Sequence, residues 1–450
     1  MTPAFRTEAR ALLALGLPLV GSNLAQFAMH LTDSIMLGWY DIEALAAVVL
    51  AGSFYFLIFL LGSGFAWAVM PMVAEAVEAG DTTRARRVTR MGLWMSAAFG
   101  LVMMAPLFLA ETIFLAIGQA EVVAEAGQNY LRIVGWQMIP ALAVIVLRSF
   151  LSALDRTPII LWVTVLTAAL NIPLNWVLIF GGPFGLPALG ERGAAISSLS
   201  LTALSLVILL IYTARVAPQF NLFQRIWRAD PDAMRQVFAL GVPIGLTSLA
   251  EAGLFSASSV MMGWLGPIPL AAHGIALQLA SLVFVVHLGL SQAGTVRAGR
   301  ALGRHDETAL RQTTRTALWL ATAFALVSVS VFVAVPELLI GAFIDPEDAA
   351  RPEILRIGVG LLIMAALFHF VDAGQVMVLG LLRGVLDTNV PMWIASVSYW
   401  VIGLPVSYLA GFVWGWEGVG VWAGLVFGLS AAFVGLSWRY WGHAIRIAID

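Results

Sequence analysis

The sequence is poor in charge and lacks two residue types altogether. Only 11% of its 450 residues are charged, whereas soluble domains carry about 25%. It contains no cysteine, which excludes disulfide bonds and cysteine-based metal sites. It also contains no lysine, so its 24 basic residues are all arginine. The net charge of −2 provides no basic field for nucleic acid. We therefore expect neither a water-soluble domain nor a nucleic-acid partner.

Long apolar runs dominate the chain. Apolar residues make up 60% of it, and its mean hydropathy is +0.92. A helix needs about 20 predominantly apolar residues to cross a bilayer, and a helix pairs its own backbone groups. The runs between charged or Pro/Gly-rich breaks predict an all-α integral membrane protein with twelve transmembrane helices. Their predicted positions are 10–37, 45–74, 88–110, 122–149, 158–180, 192–214, 234–262, 270–298, 312–335, 353–382, 391–412 and 417–440.

The arginines are distributed very unequally over this predicted topology. If the amino terminus lies inside the cell, the inner face holds 20 arginines and the outer face holds 4, namely Arg132, Arg192, Arg351 and Arg356. Cytoplasmic loops of membrane proteins carry such an excess. We therefore expect both termini in the cytoplasm. We also expect the protein to lie, together with membrane lipids, in the inner (plasma) membrane of a bacterium.

The second half of the chain repeats the first. The segments "LGLPLVGSNLAQFAMHLTDSIMLGW" (15–39) and "LGVPIGLTSLAEAGLFSASSVMMGW" (240–264) are identical at nine of 25 positions, with an offset of 225. Each copy holds six helices, an even number, so the copies are parallel repeats with the same orientation. We predict an N-lobe at 1–214, a cytoplasmic linker at 215–233 and a C-lobe at 234–450. In transporters built from repeats, the substrate site lies at the repeat interface.

Three carboxylates lie inside predicted transmembrane helices, beyond their first and last turns: Asp33, Glu251 and Asp372. An ionised side chain at a helix centre costs about 2.5–3.5 kcal/mol on insertion scales, so such residues face water or a partner and are functional candidates. His369, Asp372 and Gln375 are spaced by three and therefore share one helix face. Glu251 and Asp372 are predicted to bind H⁺ or Na⁺. His369 would tune this pair or form an isolated hydrogen bond.

The two repeats differ at these acidic positions. Asp33 aligns with Ser258, whereas Glu251 aligns with Gln26. The first repeat therefore has its carboxylate in its first helix, and the second has carboxylates in its first and fourth helices. This difference predicts that the two lobes have different tasks.

The amides and the basic loops bear on how transport would be driven. Asn171 and Asn175 lie one helical turn apart and would either coordinate a cation or bond to neighbouring backbone.

The arginine-rich loops 80–90 and 303–315 lack the GxxxxGK[ST] pattern of nucleotide-binding loops. An ion gradient is therefore the expected source of energy, and no cofactor is expected beyond the coupling ion.

Six segments of the sequence resemble a known transporter family. In chain order they are "TDSIMLGWYDIEALAAV", "LRSFLSALDRTP", "NIPLNWVLIFGG", "GERGAAISSLS", "LAAHGIALQLASL" and "LLRGVLDTNVPMW". They resemble the multidrug and toxic compound extrusion (MATE) transporters over essentially the whole chain. The acidic residues are similar to those of the NorM-like branch, whereas the DinF-like branch has a carboxylate in place of Asn175. Gly274 departs from the glutamine often found there in the family.

The resemblance implies a V-shaped bundle of two lobes. It implies antiport, in which amphipathic, mostly cationic drugs leave the cell in exchange for Na⁺ or H⁺ by alternating access. We expect a monomer. The resemblance also implies cation sites, with a polar residue of the eighth helix lining the cleft. The implied residues are Asp33, Asn171, Asn175 and Ser198 in the N-lobe, Glu251 and Asp372 in the C-lobe, and Gln278 in the cleft.

Three other functions are open at this point. A lipid-linked oligosaccharide flippase of the same superfamily would need a strongly cationic cleft for pyrophosphate, and the predicted helices contain no arginine cluster. An intramembrane hydrolase would use a pair of acidic residues, but no accompanying catalytic motif is present. An ion channel would need a ring of pore-lining charges, which two lobes do not offer. We therefore expect a transporter rather than an enzyme.

Overall fold

The structure, a computed structural model, describes residues 3–182 and 187–446, without the side chain of Ile42. Twelve helices in this part of the chain are long and apolar enough to cross a membrane, which confirms the predicted number. They are α1 (Pro3–Tyr40), α2 (Glu43–Glu78), α3 (Thr82–Phe108), α4 (Glu121–Ala153), α5 (Thr157–Phe180), α6 (Gly190–Val216), α7 (Pro231–Leu265), α8 (Pro267–Gly303), α9 (Glu307–Ala334), α10 (Arg351–Gly384), α11 (Asn389–Val413) and α12 (Glu417–Ala444).

Most of these helices extend beyond the apolar run that predicted them. Charged residues in the first and last turns do not interrupt the backbone hydrogen bonds of a helix, so hydropathy alone underestimates its length. Two short helices, Ala110–Ala116 and Pro336–Gly341, were not predicted. They follow α3 and α9, which are equivalent helices of the two sequence repeats.

The chain packs into two compact units. One consists of Gly21–Gly245, and the other joins Met1–Val20 to Leu246–Asp450. The division therefore falls within two helices. Helix α1 belongs to the second unit up to Val20, and α7 belongs to the first unit up to Gly245. The lobes predicted from the sequence follow chain order instead, and their boundaries stay a prediction.

Close helix contacts within the units follow the sequence repeat. In the first unit, a Cβ on Gly64 of α2 would lie 2.2 Å from the carbonyl oxygen of Gly241 in α7. In the second, a Cβ on Gly289 of α8 would lie 2.7 Å from the backbone nitrogen of Val20 in α1. Gly64 and Gly289 are 225 residues apart, the offset that aligns the repeats. Glycine is required at both positions because no side chain fits between the backbones.

Hydroxyl groups hold α8 against α10 in the second unit. Ser291 Oγ donates to the carbonyl oxygen of Val376 at 2.7 Å, and Thr295 Oγ1 donates to that of Gly380 at 2.8 Å. These residues lie one and two turns beyond His287 on the same face of α8. The two bonds therefore fix the face of α8 that carries His287 against the face of α10 that carries Asp372.

The segment between α6 and α7 packs on α3 within the first unit. Arg90 Nε donates to the carbonyl oxygen of Leu222 at 2.7 Å, and Trp94 Nε1 donates to that of Ile226 at 2.8 Å. Arg90 also donates to the carbonyl oxygens of Asn221 and Gln224. This connection is therefore ordered by specific side chains of α3.

Candidate functional site

Three of the four polar residues predicted for the N-lobe site come together in the first unit: Asp33, Asn171 and Asn175. Asn171 and Asn175 are fully buried on one face of α5, and Asp33 of α1 is half-buried. Their Nδ2 atoms donate to the Oδ1 atom of Asp33 at 2.9 and 2.5 Å, respectively. The spacing of four residues puts both amides on the side of α5 that faces Asp33.

This cluster presents several oxygen atoms that lack a hydrogen-bond partner. The Oδ1 atoms of Asn171 and Asn175 are buried and accept no hydrogen bond from the described residues. Tyr130 of α4, which the sequence analysis missed, lies close enough to Asp33 for the two groups to interact electrostatically. Amide and carboxylate oxygens are the ligands that hard cations prefer. The arrangement is able to hold a cation such as Na⁺, which stays a prediction.

Ser198 forms no side-chain hydrogen bond with this cluster among the described residues, and its place in the N-lobe site stays a prediction. It is half-buried on α6, and its carbonyl oxygen accepts a hydrogen bond from Thr202 Oγ1 at 2.8 Å. Among the described residues, no hydrogen bond links it to Asp33. The resemblance that implied Ser198 gave its helix but not the direction of its side chain.

A second cluster surrounds Asp372 of α10 in the other unit. Asp372 and Gln375 are fully buried, and Gln375 Nε2 donates to the hydroxyl of Tyr399 at 2.7 Å. Tyr399 lies within electrostatic reach of both Asp372 and Glu251, and these two carboxylates also interact with each other. Glu251 of α7 is half-buried, but its Oε1 atom is enclosed and has no hydrogen-bond partner among the described residues.

Arg383 contributes a positive charge to the second cluster. It lies in the last turn of α10 and interacts electrostatically with Glu251. The predicted topology places Arg383 on the cytoplasmic face, so its membership of the cluster was missed. Tyr399 was also missed, although it lies in a π-helical turn over Ser398–Gly403, and such turns often occur at functional sites.

The first unit has a related contact without a carboxylate. Arg148 of α4 donates to Gln26 Oε1 at 3.2 Å, to Ser22 Oγ at 3.0 Å and to Asn23 Oδ1 at 3.1 Å. Gln26 is the repeat equivalent of Glu251. An arginine near the carboxyl end of the fourth helix of each repeat therefore faces an amide in one unit and a carboxylate in the other.

His369 lies in an apolar part of the second cluster. The centroids of Phe332 and Phe368 are each 5.5 Å from the centroid of its ring, and that of His287 is 6.4 Å away. A ring nitrogen of each histidine and a carboxylate oxygen of Asp372 lie within 4.8 Å of one another. His287 was not predicted as a member of this cluster because it belongs to a different helix, α8.

The structure does not test the predicted role of Gln278. It is half-buried on α8, and no hydrogen bond joins it to the other predicted site residues in the described part of the chain. Gln278 is predicted to line a cleft between the two lobes, and this stays a prediction.

The twelve apolar helices make this an integral membrane protein. The family model MatE matches residues 18–177 and 243–409, one segment in each sequence repeat. A protein of Agrobacterium fabrum called "Probable multidrug resistance protein NorM" is 44% identical over 96% of this chain and 93% of its own length. A protein of the same name from Rhizobium meliloti is 43% identical over 98% and 95%. The chain belongs to the MATE family, as the resemblance predicted.

Solved structures show the same fold. The outward-facing multidrug resistance MATE family transporter of the MOP superfamily has a TM-score of 0.87, with 20% identity over 100% of this chain and 99% of the other. The eukaryotic MATE transporter AtDTX14 has a TM-score of 0.86, with 19% identity over 99% of both chains. The family assignment makes the protein a transporter rather than an enzyme, and it confirms the predicted fold.

Proposed function

We propose that the protein is an antiporter that exports amphipathic, mostly cationic small molecules in exchange for Na⁺ or H⁺. The relatives named as multidrug resistance proteins support the substrate class. The observation that carries the ion coupling is the burial of Asp372 beside Glu251 with neither of its carboxylate oxygens hydrogen-bonded to a described residue. The charge of a buried carboxylate that accepts no hydrogen bond is compensated only when the group binds a cation or a proton.

The coupling follows from competition for negative charge. When Asp372 and Glu251 hold the coupling ion, they offer no charge to a cationic substrate, and once the ion leaves they attract one. A gradient drives export by this route only if the ion and the substrate prefer different conformations. Arg383 would take part because it interacts with Glu251 and is able to compensate that charge when the ion has left.

The cluster of Asp33, Asn171 and Asn175 would serve as a second cation site. Its two unpartnered amide oxygens and the carboxylate offer only oxygen ligands, which suits Na⁺. Asp33 differs from Asp372 because it already accepts two amide donors. We propose that this site contributes to ion or substrate binding in the first unit.

Location and assembly belong to the same proposal. The bacterial relatives and the arginine distribution support the inner membrane with both termini in the cytoplasm, although the extreme residues of both termini lie outside the described part of the chain. We propose a monomer surrounded by membrane lipids. No observation favours the flippase or the hydrolase over the antiporter.

Ethidium efflux from proteoliposomes tests the proposal. A Na⁺ gradient and a pH gradient are imposed separately on vesicles that contain the purified protein. One of them is expected to drive efflux, and Asp372→Asn and Glu251→Gln are expected to abolish the gradient-driven part. Glu353→Gln serves as the matched control, because Glu353 lies in the same helix as Asp372 and is exposed. Normal gradient-driven efflux by both acidic-site variants would refute the assignment.

A further inference from the structure

Three potential metal ligands are buried together in the second unit. His287 of α8 and His369 and Asp372 of α10 have relative exposures of 1%, 0% and 0%. One nitrogen of each histidine and one oxygen of Asp372 lie within 4.8 Å of one another. The hydroxyl bonds of Ser291 and Thr295 to the backbone of α10 hold the two helices together beside the cluster.

The polar atoms of this cluster form no hydrogen bond within residues 3–182 and 187–446. Neither the four ring nitrogens nor the two carboxylate oxygens form a hydrogen bond with a described residue. The backbone of Ala321 approaches His287, but not with the geometry of a hydrogen bond. A buried polar group without a partner costs about 1–3 kcal/mol. Such groups in a native protein call for an explanation, for example a bound ion.

Another buried histidine in the same unit shows the ordinary alternative. His273, also on α8 and 1% exposed, has both ring nitrogens occupied. Its Nδ1 accepts a hydrogen bond from Trp422 Nε1 at 3.0 Å, and its Nε2 is bonded to Ser259 Oγ at 3.2 Å. His287 and His369 therefore differ from a histidine that the surrounding protein satisfies.

We propose that His287, His369 and Asp372 form a binding site for a divalent transition-metal ion of the zinc, cobalt or nickel type. Imidazole suits these ions, whereas Na⁺ and other hard cations prefer oxygen ligands. The proposed coupling pair, Asp372 with Glu251, makes no use of the imidazoles. Two histidines and one carboxylate provide three protein ligands and leave a position for water, which is a common arrangement for zinc.

The geometry requires only a small closure. Zinc bonds of about 2.1 Å in a tetrahedral arrangement place ligand atoms about 3.4 Å apart. The present upper limit of 4.8 Å between the three atoms therefore leaves about 1.4 Å to close. We expect rotation of the two imidazole rings and the carboxylate to close this distance, because the backbones of α8 and α10 already lie close together.

A cobalt titration tests the site directly. The full-length protein is purified in detergent through a tag without histidine and titrated with Co²⁺. We expect a visible band of four- or five-coordinate Co²⁺ that saturates at a single equivalent and disappears on addition of Zn²⁺. The chain contains no cysteine, so thiolate ligands do not contribute to the spectrum. A wild-type protein that shows only the spectrum of fully hydrated Co²⁺ would overturn the proposal.

Variants identify the ligands. His287→Gln and His369→Gln are expected to weaken Co²⁺ binding by about 100-fold or more. His443→Gln is the matched control, because His443 is an exposed histidine at the end of α12, and it should bind like the wild type. Wild-type affinity in both cluster variants would refute the site. If these variants do not give monodisperse protein, Cu²⁺ electron paramagnetic resonance of the wild type decides, since two imidazole nitrogens must appear as hyperfine couplings.

One consequence rests on the proposed function. Because Asp372 would serve both the metal and the coupling ion, Zn²⁺ is expected to inhibit gradient-driven ethidium efflux by the wild type. The Co²⁺ titration involves no transport. Metal binding without inhibition of efflux would therefore count against the role of Asp372 in coupling and leave the metal site in place. Gradient-driven efflux by a protein that binds no Co²⁺ would refute the metal site and leave the coupling role in place.

Discussion

Asp33 and Asp372 are both carboxylates within apolar helices, but their surroundings differ. Asp33 is half-buried and accepts hydrogen bonds from two amides. Asp372 is fully buried, and neither of its oxygens has a hydrogen-bond partner among the described residues. The charge of Asp33 is thus partly compensated by two amide donors, whereas a charge on Asp372 has no hydrogen-bond donor among the described residues. The contrast agrees with the different tasks predicted for the two lobes, which stay a prediction.

The hydroxyl of Tyr399 supports the second cluster. Tyr399→Phe leaves the buried Nε2 group of Gln375 without its acceptor, which costs about 1–3 kcal/mol. We expect a lower thermal unfolding midpoint in detergent. Tyr408→Phe is the control, since Tyr408 is exposed on the same helix. Equal unfolding midpoints for the two variants would show that the Gln375–Tyr399 bond does not stabilise the fold.

The residues of the clusters were predictable where chain spacing determines their positions. Asn171 and Asn175, and likewise His369, Asp372 and Gln375, share helix faces because of their spacing along one helix. His287, Tyr399 and Arg383 were missed as members of the second cluster. The first two belong to other helices, and only the packing of α8 and α11 on α10 reveals their positions. Ser198 and Gln278 were placed by resemblance, which does not give the direction of a side chain.

At the scale of elements, hydropathy predicted every long helix but not the ends or the irregular turns. The short helices Ala110–Ala116 and Pro336–Gly341 are too brief to produce an apolar run of membrane length. The two π-helical turns in α11, Ser398–Gly403 and Leu409–Val413, flank Pro405. Proline lacks a backbone donor and disturbs the regular helix around it. Such local departures depend on packing that the sequence pattern does not show.

The contact between α2 and α7 provides a test at this scale. Gly64→Ala would place a methyl group 2.2 Å from the carbonyl oxygen of Gly241, so the helices must move apart. We expect a lower unfolding midpoint and less folded protein in the membrane. Gly52→Ala is the control, because Gly52 lies in the same helix with nothing within 4 Å of the added Cβ. If both variants match the wild type, the two helices do not pack as closely as described.

At the scale of the whole molecule, the predicted orientation is testable because the chain contains no cysteine. Thr83→Cys, in the first turn of α3, and Gln119→Cys, just before α4, introduce single exposed thiols at helix ends predicted to lie inside and outside the cell, respectively. A membrane-impermeant maleimide should label Gln119→Cys in intact cells and Thr83→Cys only after lysis. The reverse pattern would show that the arginine-rich face is external.

The central claim is that a cationic drug and the coupling ion compete for Asp372 and Glu251. Equilibrium binding of ethidium to the purified protein, followed by its fluorescence, tests this without any transport step. Addition of Na⁺, or a lower pH, is expected to displace ethidium from the wild type, and this displacement should be lost in Asp372→Asn and Glu251→Gln while Glu353→Gln behaves like the wild type. Ethidium that stays bound to the wild type under both conditions, or is displaced equally from all four proteins, would contradict the account.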